Sequence, residues 1–362
     1  MRIRPPISAG AIVAGVLTFM LTFLSVPPAL GHVGNALLPE GCGSCHVGHG
    51  MKNQPMLDMA EEDFCYQCHG GEDTRTRMKS EGRLTAGIEL ADIEREFQKT
   101  FHHPVKEGSG HSPGERLPSL KTATVGHAEC VDCHNPHQRI EAGRPQTYAV
   151  TGYSLSGQYL ESSIYEYQIC LKCHSEYLGA DRSVKSLSAD FDQSVRSQHP
   201  VTRGARGVRL PSLAAGSGRS LTMTCSDCHT SDDREGPRGP HGSDHRFLLS
   251  GNYTRDIVTD ESPYTYEFCY SCHDRSSILS NESFPLHREH IVGDPISGRS
   301  GTSCHTCHAS HGSRDNPHLL DFNPKGVERD SRTGLLRYEE RGEHGGACYL
   351  RCHDHDHGPA EY

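Results

Sequence analysis

All 16 cysteines of this chain stand in pairs, and a histidine closes every pair. Seven pairs read Cys-x-x-Cys-His: Cys42/Cys45/His46, Cys65/Cys68/His69, Cys130/Cys133/His134, Cys170/Cys173/His174, Cys225/Cys228/His229, Cys269/Cys272/His273 and Cys304/Cys307/His308. The eighth has one more residue between its thiols, Cys348-Tyr-Leu-Arg-Cys352-His353. Thiols at this spacing bond to the two vinyl groups of a porphyrin, and the adjacent imidazole is held under the iron, which is the pattern of c-type haem attachment. Zinc also takes Cys-x-x-Cys pairs, but it makes no demand for a histidine directly after the second cysteine. The motifs therefore predict eight covalent haems, with His46, His69, His134, His174, His229, His273, His308 and His353 as proximal iron ligands. For the eighth motif a strained local disulfide is the alternative.

The sixth position of each iron decides the chemistry: a side chain there leaves only electron transfer, and an open position can bind a reactant. Of 26 histidines, eight outside the motifs recur in matching places. The motifs fall in twos. His32 and His49 accompany the first two, His103 and His137 the next, then His199 and His241, and His290 and His311. His49, His137 and His311 lie three residues after a proximal histidine, about one helical turn away. They sit on the proximal side of their own haem, so a neighbouring haem is their expected target. For the last pair His287 is the close alternative to His290. The tail histidines His353, His355 and His357 could bind a transition metal, but a frayed C-terminus with one haem ligand is expected.

The composition agrees with a chain that wraps cofactors. Only 34% of the residues are hydrophobic, there is no tryptophan, and glycine and proline number 38 and 21. Such a chain is short of the apolar surface that a core needs; one macrocycle per ~41 residues supplies it. Residues 1–31 read as a signal peptide: Arg2 and Arg4, an uncharged apolar stretch from Ile7 to Val26, two prolines, and Ala29-Leu30-Gly31. An uncleaved anchor is the alternative. Cleavage leaves 34 basic against 46 acidic residues, a formal charge of −12. That argues against a nucleic-acid partner and favours basic redox partners or metal cations.

The expected fold is coil-rich, with short α-helices and little sheet, stapled by haem into a linear array of paired-haem modules. Their expected bounds are 32–97, 98–190, 191–280 and 281–362. Modules two and three match closely: His103-Pro-Val105, Arg116-Leu-Pro-Ser-Leu120 and Cys130 against His199-Pro-Val201, Arg209-Leu-Pro-Ser-Leu213 and Cys225. Repeats at a fixed period point to a duplicated unit. Residues 85–100 read as a charged helix with Ile88, Ile93 and Phe97 near one face.

The order His-Pro-Val, Cys-x-x-Cys-His-x-Pro-His, Cys-x-x-Cys-His resembles the doubled-CXXCH family of multihaem c-type cytochromes, best over Cys130–His137 and Cys170–His174. The resemblance implies bis-histidyl iron, low reduction potentials, electron transfer outside the cytoplasm and no catalytic residues. Some relatives polymerise into extracellular filaments in which one subunit lends a distal histidine to the next. His32 is a natural donor of that kind, with another redox protein or a metal oxide as acceptor. A monomeric periplasmic or cell-surface shuttle is the alternative. A terminal reductase of nitrogen or sulfur oxyanions is a third reading, against which every motif keeps its histidine.

Overall fold

The computed structural model describes residues 38–46, 48, 56–106, 128–138, 150–175, 186–204, 211–214, 222–294, 296, 298–342 and 345–362. His32, His49 and the apolar N-terminal segment lie outside them. The chain divides into two compact units, Met1–Leu30 and Gly31–Tyr362, and every described residue belongs to the second. No helix among the described residues is long and apolar enough to cross a membrane.

Coil predominates, and the regular elements are small. The helices are α1 (Glu61–His69), α2 (Glu72–Ser80), α3 (Ile93–Glu96), α4 (Cys130–Cys133), α5 (Glu166–Cys170), α6 (Leu187–Asp190), α7 (Glu267–Tyr270), α8 (Arg275–Leu279), α9 (His287–Val292) and α10 (Cys304–Cys307). The strands are β1 (Phe101–His102), β2 (Gly152–Tyr153), β3 (Tyr159–Leu160), β4 (Ser197–Gln198), β5 (Gly242–Ser243) and β6 (Val258–Thr259). Then follow β7 (Gly293–Asp294), β8 (Arg299–Thr302), β9 (Gly312–Ser313), β10 (Arg337–Glu340), β11 (Gly346–Cys352) and β12 (His355–Glu361). Buried apolar side chains are spread along the chain, from Met78 and Leu84 through Ile169 and Tyr266 to Val327 and Leu350.

The regular motifs owe their shape to one backbone hydrogen bond. The histidine N–H donates to the carbonyl oxygen of the first cysteine: His46 to Cys42 at 2.9 Å, His134 to Cys130 at 2.9 Å, His174 to Cys170 at 3.0 Å, His229 to Cys225 at 2.8 Å, His273 to Cys269 at 2.9 Å and His308 to Cys304 at 2.9 Å. In the second motif the same residues fall inside α1. Cysteines three apart on a helical turn share one face, so both thiols and the imidazole address one porphyrin. The Cys-x-Asp-Cys order starts two of these turns. The Asp132 carboxylate accepts from the Glu129 N–H at 2.9 Å, and Asp227 from the Thr224 N–H at 2.7 Å, each as the third helical residue of a capping box.

The matched sequences of modules two and three become matched joints. β1 pairs antiparallel with β5, and β4 with β9. The strand before His103 thus lies against the residues after His241, and the strand before His199 against those after His311. The His103 N–H donates to the His241 carbonyl at 3.4 Å, and His199 to His311 at 3.0 Å. The proline carbonyls of the two His-Pro-Val stretches accept from Ala128 at 3.2 Å and from Met223 at 2.8 Å, each two residues before the next motif. A Cβ added at Gly242 would collide with the carbonyl oxygen of Glu96, and one at Gly312 with that of Asp190. Only glycine lets the backbones approach this closely.

Two expectations need correction. The helix expected over 85–100 is the single turn α3. It begins where the Asp92 side chain accepts from the Arg95 N–H at 3.0 Å, which competes with helix upstream. Phe97 still packs inward, 6.3 Å from the Tyr66 ring and 5.8 Å from that of His241. The C-terminus is not frayed: β11 and β12 form a hairpin and β10 completes a three-stranded sheet. Ala347 is fully buried there, and the Tyr362 ring packs edge-on against Phe284 at 4.6 Å.

Gly312→Ala is expected to destabilise the holoprotein by roughly 1–3 kcal/mol, read as a lower denaturation midpoint with the haem content unchanged; wild-type stability would show that β4 and β9 can separate freely.

Candidate haem sites

An iron about 2 Å from each of two imidazole nitrogens holds the ring centroids about 6 Å apart. The described residues contain such pairs, and most join histidines far apart in sequence. His46 stacks on His137 with centroids at 5.8 Å, planes 9° apart and Nε2 atoms at 3.5 Å. His134 stacks on His241 at 6.0 Å. His103 meets His174 at 6.2 Å, His229 meets His311 at 6.2 Å, and His287 meets His308 at 6.3 Å. His290 faces His357 at 6.4 Å. Each of the first five sets one motif histidine against one outside the motifs.

A metal requires a deprotonated ligand, and four of the buried histidines suit that. Burial holds His174, His241, His273 and His287 down to about 4, and nearby histidines add to the effect: His103 and His229 on His174, His134 on His241, His199 on His273, and His308 on His287. The rings are also oriented. Nδ1 of His103 bonds the Pro240 carbonyl at 2.6 Å, His199 that of Ser310 at 2.7 Å, and His229 that of Phe247 at 2.7 Å. His290 bonds the Leu286 carbonyl at 2.8 Å, and His308 that of His318 at 2.9 Å. A carbonyl partner puts the proton on Nδ1 and leaves the Nε2 lone pair for a metal.

The downstream histidines therefore meet the module before their own. His137 meets the first motif, His241 the third and His311 the fifth. The upstream His103 stays by the fourth motif. Near the C-terminus His287 faces His308 and His290 faces His357. His305 is half-buried, with its Nδ1 buried and its ring 6.0 Å from that of Tyr253.

Consecutive motifs are neighbours. Cys65 lies beside Cys130, Cys170 beside Cys225, and Cys269 beside Cys304, each joining two consecutive motifs. Within modules, burial pushes Cys173, Cys228 and Cys307 up to about 12, and the adjoining Cys133, Cys272 and Cys352 add to the shift. Cys68 is raised by burial and then by Cys45. A carboxylate four residues before the second motif braces two of the boundaries. Glu61 accepts from the Val131 N–H at 3.0 Å; Glu166 accepts from the Ser226 N–H at 2.7 Å and from its hydroxyl at 2.8 Å.

The eighth motif differs. Its cysteines lie four residues apart on β11, about 13 Å along an extended strand. That is beyond the reach of a local disulfide, so the alternative weighed for this motif is corrected. It also lacks the close thiol pair that a helical turn offers to one porphyrin edge. Sequence spacing alone missed this, because the tail alternation that makes a strand is short and interrupted by charged residues.

Replacing Cys225 and Cys228 together by alanine is expected to remove one haem per chain by intact mass; an unchanged mass increment contradicts attachment at that motif. Glu166→Ala is expected to cost roughly 1–2 kcal/mol, seen as a lower melting temperature, and unchanged melting would mean that the carboxylate does not hold this boundary.

Residues 122–318, which carry the third to seventh motifs, match the family described as outer membrane cytochrome MtrC/MtrF-like, domains II/IV. Residues 36–74, with the first two, match the doubled CXXCH motif. The eighth motif lies outside both stretches. No curated protein and no solved structure matches the chain. The first match covers more than half of the sequence, and it agrees with motifs built to attach haem and with imidazoles spaced to hold iron: the chain belongs to the MtrC/MtrF-like outer membrane cytochromes and is a multihaem c-type cytochrome of electron transfer.

Proposed function

We propose that this chain is an octahaem electron carrier working outside the cytoplasm, with every iron between two imidazoles and the haems following one another in motif order. The observation that carries this reading is the repeated facing of two imidazoles about 6 Å apart, the distance one iron spans. Seven sites take the helical-turn form; the eighth motif lies on β11 and lacks that form. The facing pairs are His137 with His46, His241 with His134, His103 with His174, His311 with His229 and His287 with His308, and the repeat assigns His199 to His273. The repeat assigns His32 to His69 and leaves His49 over.

Bound haem supplies a one-electron couple. The chain's own part is to hold both axial imidazoles through Nδ1–carbonyl bonds, so that iron gains and loses an electron with little ligand movement. Neighbouring motifs keep successive haems close enough for transfer along the row. The negative surface suits basic redox partners and metal-oxide acceptors, and the outer-membrane family supports a cell-surface location. If His32 reaches His69 of a second copy, the row continues into a filament. Electron microscopy of the purified holoprotein separates filaments from a monomeric shuttle.

Intact mass of the holoprotein is expected to give eight covalent haems. In His137→Ala the count stays at eight, one iron becomes high-spin, and transfer through the first motif slows. Entirely low-spin His137→Ala protein contradicts the assignment.

A further inference from the structure

Two of the four downstream histidines are followed by Gly-Ser, in His241-Gly-Ser243 and His311-Gly-Ser313; after His49 and His137 stand Gly-Met and Gln-Arg. Each serine opens a short loop, which ends Phe247-Leu248-Leu249 in one case and His318-Leu319-Leu320 in the other. In both loops the two residues before the last leucine lie in the left-handed region, Phe247 and Leu248 at φ 66° and 56°, His318 and Leu319 both at φ 57°. Residues other than glycine are strained there, and they stay only where the surroundings over-determine them.

Both loops return to a haem motif through the same contacts. The carbonyl of the first left-handed residue accepts from Nδ1 of the motif histidine, Phe247 from His229 at 2.7 Å and His318 from His308 at 2.9 Å. The last leucine bridges that same histidine through the backbone, Leu249 to His229 and Leu320 to His308. The next N–H donates to the carbonyl of the second cysteine, Ser250 to Cys228 at 3.3 Å and Asp321 to Cys307 at 2.8 Å. The serines close the loops from the other end. Ser243 and Ser313 are buried in β5 and β9, and their hydroxyls donate to the Leu249 and Leu320 carbonyls at 2.7 and 2.6 Å. The same hydroxyls accept from the N–H of His245 at 2.9 Å and of Asn316 at 3.3 Å.

We propose that Ser243 and Ser313 are positioning residues for electron transfer: each locks a strained left-handed pair that presents one carbonyl to a proximal imidazole, at the fifth motif and at the seventh, and so sets the reduction potential of those two irons. This rests on the reading that both motifs hold haem with His229 and His308 as proximal ligands. A carbonyl on Nδ1–H makes the imidazole a stronger donor, which stabilises ferric iron and lowers its potential. Once unlocked, the left-handed pair relaxes and takes the carbonyl with it. The sixth motif has the backbone clamp without the lock: Leu213 bridges His273, the Ala214 N–H donates to the Cys272 carbonyl at 2.9 Å, and neither Ser212 nor Leu213 is left-handed. Each serine also stands two residues after His241 or His311. In the proposed function, one segment thus lends a distal ligand to one iron and steadies the proximal ligand of another.

The test uses full-length holoprotein carrying Ser243→Ala or Ser313→Ala. Haem is counted by intact mass, midpoints are read by spectroelectrochemical titration and ligation by electron paramagnetic resonance. Each variant is expected to keep the wild-type haem count and its low-spin iron, while one iron moves to higher potential and one set of g-values changes. The shift is smaller in Ser313→Ala, because Nδ2 of Asn316 also donates to the Leu320 carbonyl at 3.0 Å. That second hold keeps this variant usable if Ser243→Ala fails to accumulate. Wild-type potentials and g-values, with or without a lower melting temperature, would overturn the proposal and leave the serines a purely structural role. A wild-type peptide spanning Cys225–His229 without haem mass would instead remove the reading on which the proposal rests.

Discussion

Two imidazoles facing each other about 6 Å apart, across the span of one iron, are the constraint around which this chain is organised. A sequence with 34% hydrophobic residues has little else to fold around. The partners come from distant places: 91 residues separate His46 from His137. Most facing pairs therefore close a long loop, and in the proposed reading haem ligation substitutes for the apolar core that would otherwise close it. The short β1–β5 and β4–β9 pairings have no stability of their own at two residues each. They serve to set His103 beside His241 and His199 beside His311, so that adjacent histidines in one joint can reach different motifs.

The same joints give the modules their order. His137, His241 and His311 each face a motif earlier in the chain, whereas His103 faces the second motif after it. Cysteines of successive motifs are neighbours where Cys65 lies beside Cys130, Cys170 beside Cys225 and Cys269 beside Cys304. Glu61 and Glu166 tie two of those boundaries through backbone N–H groups of the next motif. At the third boundary Thr265 stands in the glutamate's place, and the Tyr266 hydroxyl bonds the Thr302 carbonyl at 3.1 Å instead. In the proposed reading these contacts make neighbouring haems successive stations for an electron.

Much of this was legible in the sequence, for a physical reason. Cysteine pairs and adjacent histidines record covalent and coordinate bonds, whose spacing tolerates little variation. The His-Pro-Val repeats were readable because the same joint is built twice. Which histidine faces which motif was not legible, since that depends on strands of two residues joining segments a hundred or more residues apart. The helix over 85–100 was overread because Asp92 prefers to cap rather than to continue. The C-terminal hairpin was underread because its turn, His353-Asp354, lacks the glycine that marks most two-residue turns. The eighth motif looked like the other seven plus one residue, yet one added residue is enough to break the i, i+3 relation that a helical turn requires.

Near-infrared magnetic circular dichroism of the oxidised wild-type holoprotein, integrated per iron, tests the central claim most directly. The account predicts that the intensity of bis-histidine low-spin iron accounts for every haem in the chain. A substantial high-spin fraction, or ready carbon monoxide binding at several irons after reduction, would contradict it.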